Sequence, residues 1–250
     1  MRPTPDAPLL EVRHLSKNFG PVEALKDLSM TVRAGEVVAL AGDNGAGKTT
    51  LIKEISGVFR PSSGENLLRG QPVSFASPHE ARDKGIETIY QDLALADNLT
   101  IGANIFLGRE PTRRAFGFLP VLDRAKMAEA AKATMALLDF HVSRLDAPVS
   151  NFSGGQRQAV AIGRAVYWDA QILIMDEPTA ALGVPEQRKV ISLIHQLKAQ
   201  GRGVIFISHN LQDIFAVADR IVVLRRGVQA GERRISETNH DEVVRLMVGG

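Results

Sequence analysis

The chain has 250 residues, of which 44% are hydrophobic, and this is enough apolar material to fill the core of a sizeable globular domain. Its 30 basic and 28 acidic side chains leave a formal net charge of +2, which excludes the broad basic excess that drives sequence-independent nucleic-acid binding. The absence of cysteine excludes disulfides and thiolate metal sites, and it fits a reducing compartment.

The sequence shows no feature of an exported or membrane-embedded chain. Its opening, MRPTPDAPLLEVRHL, has no apolar stretch of signal-peptide length, and no later run approaches the roughly 20 apolar residues of a membrane span. We therefore expect a cytosolic protein, unless a partner holds it at a membrane.

Short apolar runs alternate with helical patterns, which is typical of an α/β fold with a parallel sheet. The runs VVALAG, ILIMDE and VIFISH are too uniformly apolar to have a wet face, so they indicate central strands covered by helices on both faces. RPSSG at residues 60–64 predicts a turn into a further strand. Including these three runs, the strands that we predict with bounds are Leu10–His14, Leu28–Val32, Val37–Ala41, Gly85–Tyr90, Ile172–Asp176, Val204–Ser208 and Ile221–Leu224.

The pattern changes between Asp97 and Arg164, where strand-like runs vanish. This block is predicted to be a helical subdomain inserted into the sheet domain. Its apolar stripe at helical spacing indicates core packing rather than a ligand-binding box, and it consists of Met127, Ala131, Met135 and Leu138.

The segment GDNGAGKT at residues 42–49 matches the phosphate-binding pattern G-x-x-x-x-G-K-[ST], directly after a predicted strand and before a helical run. Backbone N–H groups of such a loop turn inward around the phosphates, and the following helix adds roughly half a positive charge. Lys48 would meet the β- and γ-phosphates of ATP, and the Thr49 hydroxyl would bind Mg²⁺. The ATP-binding residues predicted here are Gly42, Asp43, Asn44, Gly45, Ala46, Gly47, Lys48, Thr49 and Thr50.

Two carboxylates follow the apolar strand in ILIMDEP. Asp176 would hold Mg²⁺ through water, and Glu177 is placed to act as the general base toward the attacking water. A buried structural pair is the alternative, which the position downstream of a phosphate-binding loop disfavours.

His209 ends the strand VIFISH, where its imidazole could contact the γ-phosphate and help to orient Glu177. Gln91 follows the strand IETIY, and its amide could reach Mg²⁺ or the attacking water while connecting the sheet domain to the helical insert.

These motifs, in the order phosphate-binding loop, Gln91, SGGQ, ILIMDEP and His209, resemble the ATP-binding cassette (ABC) family across nearly the whole chain. The SGGQ element carries most weight, because P-loop GTPases, kinases and helicases lack it. The resemblance implies a P-loop NTPase sheet domain with an ABC-type antiparallel β subdomain and an inserted α-helical subdomain. We expect one domain, with the ATP-binding core at about 9–92 and 165–250 and the helical subdomain at about 93–164.

The resemblance also implies a head-to-tail dimer that encloses two MgATP at one interface. The helix start of one subunit would cover the γ-phosphate held by the other, and the residues concerned are Ser153, Gly154, Gly155 and Gln156.

Phe19 would stack on adenine, although an edge-of-core role is the alternative. Two departures stand out: Phe152 replaces the usual leucine before SGGQ, and Gly183 in TAALG replaces the usual aspartate. The second removes a side chain expected at the dimer interface, which puts the communication between the two sites in doubt.

A single compact cassette is the form of a transporter's motor subunit, and the motif segments resemble the ATPases of bacterial monosaccharide importers of the ribose, xylose and fructose type. Within this branch a TAALG segment that ends in glycine is not foreign, so Gly183 is a smaller departure there. The resemblance implies as partners a second ABC ATPase, identical or related, transmembrane permease subunits near Gln91 and the insert, and indirectly a periplasmic sugar-binding protein. It implies a peripheral place on the cytoplasmic face of the inner membrane, with no nucleic acid bound. The alternatives are a soluble ABC ATPase acting on nucleic acid or ribosomes, and a non-catalytic nucleotide-binding module, which the presence of Lys48, Asp176, Glu177 and His209 disfavours.

Overall fold

The computed structural model describes residues 7–116, 118–140, 144–180 and 182–249. Its strands are β1 (Leu10–Phe19), β2 (Val22–Val32), β3 (Val37–Ala41), β4 (Ser63–Leu68), β5 (Gln71–Val73), β6 (Ile86–Ile89), β7 (Thr112–Ala115), β8 (Leu119–Leu122), β9 (Ile172–Asp176), β10 (Gly203–Ile207), β11 (Arg220–Arg225) and β12 (Val228–Arg234). Its α-helices are α1 (Lys48–Ile55), α2 (Pro78–Asp83), α3 (Ile101–Ile105), α4 (Arg124–Leu137), α5 (Gly154–Tyr167), α6 (Val184–Ala199), α7 (Leu211–Val217) and α8 (His240–Val248). No helix in these ranges is long and apolar enough to cross a membrane.

The chain forms two compact units, and the first comprises Met1–Thr88, Ala170–Pro178 and Ile194–Gly250. Its larger sheet has the strand order β12-β11-β3-β10-β9-β6, in which β11, β3, β10 and β9 run parallel and β12 is antiparallel to β11. Every residue of β3 and β10 is buried, as the uniformly apolar runs predicted. Because the central strands are parallel, their carboxyl ends meet at one edge of the sheet.

The first unit also contains an antiparallel sheet in the order β2-β1-β4-β5. Its strand β4 begins at Ser63, within the predicted turn at residues 60–64. Strands β1 and β2 are longer than predicted. The additional residues of the two strands meet around Phe19 and Val22, which are 43% and 62% exposed. Apolar and polar residues do not alternate regularly in these stretches, so the sequence offers no strand signal there. The core draws on both sheets, because Leu10 and Leu28 share a buried cluster with Leu40 and Ile174.

The second unit comprises Ile89–Asp169 and Thr179–Leu193, and its helices α3, α4 and α5 pack on one another. The predicted apolar stripe is confirmed as core, since Met127, Ala131, Met135 and Leu138 are all buried. The prediction that strands vanish from the insert is wrong, because β7 and β8 form an antiparallel hairpin there. The hairpin strands TRRA and LPVL are short and largely exposed, so their sequences lack the alternation by which a strand is recognised.

Candidate functional site

The loop between β3 and α1 has the backbone geometry of a phosphate cradle. Gly42, Gly45 and Gly47 have φ angles of 147°, 79° and 108°, which residues with side chains rarely adopt. Gly42 is also confined by its neighbours, because a Cβ there would lie 2.3 Å from the carbonyl oxygen of Leu224. The glycine spacing seen in the sequence therefore corresponds to a loop whose backbone strongly favours glycine, most of all at Gly42.

The start of α1 leaves backbone N–H groups free to bind an anion. Its first helical hydrogen bond runs from Leu51 N to Gly47 O at 3.0 Å, and the Gly47 cap offers no side-chain acceptor. The N–H groups of Lys48, Thr49 and Thr50 therefore have no partner within the helix. Together with the positive end of the helix dipole, they fit the phosphates of a nucleotide.

Lys48 is held over the same loop. Its Nζ donates hydrogen bonds to Gly42 O at 2.5 Å and to Asp43 O at 3.1 Å. Burial lowers the pKa of Lys48, while the carboxylates of Glu177, Asp43 and Asp176 act in the opposite direction and favour its charged form. The loop thus carries a partly desolvated cation that is hydrogen-bonded to two carbonyl groups, which a phosphate would compete to replace.

Asp176, Glu177 and His209 come together at the carboxyl edge of the parallel sheet. β9 ends at Asp176 and pairs with β10, whose last residue Ile207 accepts a 2.9 Å hydrogen bond from Glu177 N. Glu177 has a left-handed φ of 51°, which is uncommon for a residue with a side chain. Its Oε2 lies 2.9 Å from His209 Nδ1, so the sheet joins two predicted catalytic groups that are far apart in sequence.

Electrostatics link Asp176 to the phosphate-binding loop. Burial raises the pKa of Asp176, the neighbouring Glu177 carboxylate raises it further, and Lys48 lowers it. Two carboxylates and one ammonium therefore interact at this edge. In the ranges that the structure describes, no three His, Asp or Glu side chains form a group able to hold a metal ion.

Phe19 lies on the surface of the first unit and is 43% exposed. Its ring meets Phe59 edge-on with centroids 5.2 Å apart, and Lys17 Nζ lies 5.3 Å from the Phe19 centroid. One edge of Phe19 is packed and the rest is accessible, so its adenine-stacking role stays a prediction.

Ser153 caps α5 in the second unit. Its Oγ accepts a hydrogen bond from Gln156 N at 3.4 Å, while Gln156 Oε1 accepts one from Ser153 N at 2.9 Å. This reciprocal capping box could have been read from the S-x-x-Q spacing. Ser153 and Gly154 are exposed, so the helix start remains accessible to another molecule.

The two glycines of SGGQ allow α5 to approach the loop that follows residue 178. A Cβ at Gly154 would lie 2.7 Å from Leu182 Cδ2, and one at Gly155 would lie 3.0 Å from both Cβ and Cγ of Glu186. Side chains at either position would push the helix start away from the 182–186 segment. The sequence indicated the glycines, but only the fold shows which residues they contact.

Gln91 is exposed in a turn of the second unit, and hydrogen bonds tie the segment after it to α5. Arg157 NH2 lies 2.5 Å from the Asp97 carboxylate, and Arg164 NH1 donates to Ala94 O at 3.0 Å. Sequence inspection missed both arginines, because a charged residue on a helix is usually a solvated one. The predicted metal and catalytic role of Gln91 stays a prediction.

Comparisons with known proteins identify the family that this chain resembles. The family model described as ABC transporter matches residues 25–180. The xylose/arabinose import ATP-binding protein XylG of Sulfolobus acidocaldarius is 50% identical over 239 residues, covering 96% of this chain and 93% of XylG. The ribose import ATP-binding protein RbsA 2 of Rhizobium johnstonii is 44% identical over 249 residues, but the chain spans only 47% of its length.

Solved structures match as well. A nucleotide-free ATP-binding cassette from an ABC transporter has a TM-score of 0.81 and 25% identity, covering 97% of this chain and 96% of that one. The fold class predicted from the sequence is thereby confirmed. Because the family model covers more than half of the chain and XylG is half identical over nearly all of it, the chain belongs to the ABC transporter family and is one of its ATPase subunits.

Proposed function

We propose that this chain hydrolyses MgATP to power the import of a monosaccharide through separate membrane-spanning subunits. The observation that carries the catalytic part is the Glu177–His209 pair, 2.9 Å apart at the same sheet edge as the phosphate-binding loop. The sugar is proposed because the similar proteins XylG and RbsA 2 are named for xylose/arabinose and ribose import.

Glu177 is the general base of this proposal. Its carboxylate accepts a proton from the attacking water, and the hydrogen bond from His209 Nδ1 fixes the orientation of Oε2. For Nδ1 to donate, it must carry the proton, which leaves Nε2 on the exposed side of the ring. The left-handed backbone at Glu177 sets the direction in which its side chain leaves the strand.

The residues at the loop fit ATP and Mg²⁺. The free N–H groups at the start of α1 bind phosphate oxygens, and Lys48 adds a positive charge beside them. The Thr49 hydroxyl and Asp176 provide the oxygen donors that Mg²⁺ prefers, and Gln91 is the further ligand predicted from the sequence. When bound, Mg²⁺ neutralises charge on the β- and γ-phosphates.

A second ATPase chain, identical or related, completes each site. The exposed Ser153 and Gly154 at the start of α5 are proposed to cover the γ-phosphate held by the partner chain. The internal capping box holds this helix start in shape before any partner arrives. Hydrolysis is then expected to require two chains.

The second unit is proposed to contact the permease at the cytoplasmic face of the membrane, with a sugar-binding protein acting on the opposite side. Its β7–β8 hairpin presents Phe116 and Phe118 at 90% and 80% exposure, and exposed apolar groups of this kind mark protein contacts. The ties from Asp97 and Ala94 to α5 provide a route by which a contact near Gln91 reaches the helix start.

A Glu177→Gln variant tests the catalytic proposal. We expect it to bind ATP normally, to lose about 100-fold or more in hydrolysis rate, and to accumulate as a closed dimer on a sizing column with MgATP. Glu237→Gln, at an exposed position of the first unit, controls for the lost charge. Near-normal hydrolysis by Glu177→Gln would exclude it as the base.

Affinity purification from the source membrane tests the transport proposal. We expect the chain to bring down a permease, and the reconstituted complex to couple ATP hydrolysis to sugar uptake into vesicles. Hydrolysis stimulated by RNA or DNA, without any co-purifying membrane protein, would instead favour a soluble ATPase that acts on nucleic acid or ribosomes.

A further inference from the structure

Glu186 occupies the space beside Gly183, where the family resemblance led us to expect an aspartate. Gly183 directly precedes α6, and its carbonyl oxygen accepts the first-turn hydrogen bond from Gln187 N at 2.9 Å. Glu186 Oε2 lies 2.9 Å from the position that a Cβ on Gly183 would take. A carboxylate is therefore present at this loop, although it comes from α6 rather than from the loop itself.

The same side chain also packs against the start of α5. Its Cβ and Cγ each lie 3.0 Å from the position of a Cβ on Gly155. Glu186 thus lies between the start of α5 and the loop at Gly183. Its methylene groups face the start of α5, and its carboxylate faces the loop. One residue contacts both segments that are proposed to face the partner chain.

The Glu186 carboxylate is free to bind something outside the chain. Within the ranges that the structure describes, it has no hydrogen bond or ion pair, and the residue is only partly buried. A residue needed only to brace α5 could be apolar, since the contacts with Gly155 are made by carbon atoms. Glu186 also lies in the first turn of α6, where the helix dipole favours a carboxylate, and its oxygens are available to accept hydrogen bonds from another chain.

We propose that Glu186 is a positioning residue that substitutes for the missing side chain at position 183. Its methylene groups hold the start of α5 in place, and its carboxylate accepts hydrogen bonds from the facing chain when the dimer closes on ATP. This inference rests on the proposed two-chain site. It makes the ATPase reaction depend on a residue outside the sequence motifs that are predicted to bind the phosphates and to supply the general base.

Four variants separate the polar role from the structural one. Glu186→Gln keeps the methylene contacts and removes the charge, so we expect kcat to fall about tenfold with ATP binding unchanged and only a small decrease in melting temperature from the lost helix-dipole interaction. Glu186→Ala should lose at least as much.

Gly183→Asp alone should also be impaired, because its Cβ would lie 2.9 Å from Glu186 Oε2 and bring two carboxylates together. In Gly183→Asp/Glu186→Ala the carboxylate returns to the loop, and activity should recover to within about threefold of wild type.

Glu129→Gln, on the exposed face of α4 in the same unit, is the matched control. Wild-type kcat in Glu186→Gln, or a double variant no more active than Glu186→Ala, would overturn the inference. The Glu177→Gln dimer assay keeps the two proposals apart. If no ATP-dependent dimer forms there, the shared site itself fails; if it forms and the Glu186 variants behave as wild type, only the role of Glu186 fails.

Discussion

Glu54 makes the stability of this protein depend on pH near neutrality. It lies in α1, directly behind the phosphate-binding loop, and is only 1% exposed. Neither of its carboxylate oxygens has a hydrogen-bond partner within the described part of the chain. Burial raises the pKa of Glu54 to about 7, and the positive charge of Lys17 only partly offsets this effect.

The folded protein therefore keeps a proton that the unfolded chain releases near the ordinary pKa of 4.5. Between about pH 4.5 and pH 7 the free energy of unfolding falls by about 1.4 kcal/mol for each pH unit, which amounts to about 3 kcal/mol in total. Above pH 7 both states are ionised and the loss is complete. Glu54→Gln removes this dependence, so the variant should gain on wild type as the pH rises.

Urea unfolding followed by far-ultraviolet circular dichroism, at several pH values from 5 to 8, measures the difference between Glu54→Gln and wild type. We expect it to grow by about 2.5 kcal/mol in favour of the variant across this range, because part of the loss has already occurred at pH 5. Any cost of burying the amide is the same at every pH, so it does not alter the slope. Glu129→Gln, on the surface, should show no such trend. A difference that stays constant with pH, or a carbon-13 titration of Glu54 with a midpoint near 4.5, would refute the reasoning.

Three further predictions follow from the same structure. His209→Ala should bind ATP as wild type does but hydrolyse it about 100-fold more slowly, because Glu177 loses its orienting hydrogen bond; a wild-type turnover rate would contradict this. Gly42→Ala should lower the melting temperature and abolish ATP binding in calorimetry, because its Cβ would lie 2.3 Å from Leu224 O, whereas Gly45→Ala, with open space around it, should be much milder. Phe116→Ser/Phe118→Ser should leave the unfolding free energy within about 0.5 kcal/mol of wild type but reduce co-purification of the permease, and undiminished capture would remove the hairpin from that contact.

The sequence was most informative where chemistry and local structure coincide. The glycines at 42, 45 and 47 could be assigned to a phosphate-binding loop, because their spacing and the flanking strand and helix reflect backbone requirements that involve few distant residues. Strands β3 and β9 were predicted with their observed limits, because a strand buried on both faces must be apolar throughout.

Where strands are partly exposed, the sequence was a poorer guide. The outer parts of β1 and β2 and the hairpin β7–β8 escaped prediction, because a residue facing water on either side is under little compositional constraint. The edge strands β5 and β12 also escaped, since β5 is short and β12 is rich in polar residues.

By itself the sequence determined which groups are available for chemistry, namely Lys48, Asp176, Glu177 and His209, and in what order they occur. Only the tertiary structure decided that Glu177 and His209 touch, because strand order in a parallel sheet depends on packing between segments distant along the chain. It likewise showed that the methylene groups of Glu186 lie against Gly155 at the start of α5, which is distant along the chain. Contacts of this kind join elements that are far apart along the chain, so no pattern of neighbouring residues records them.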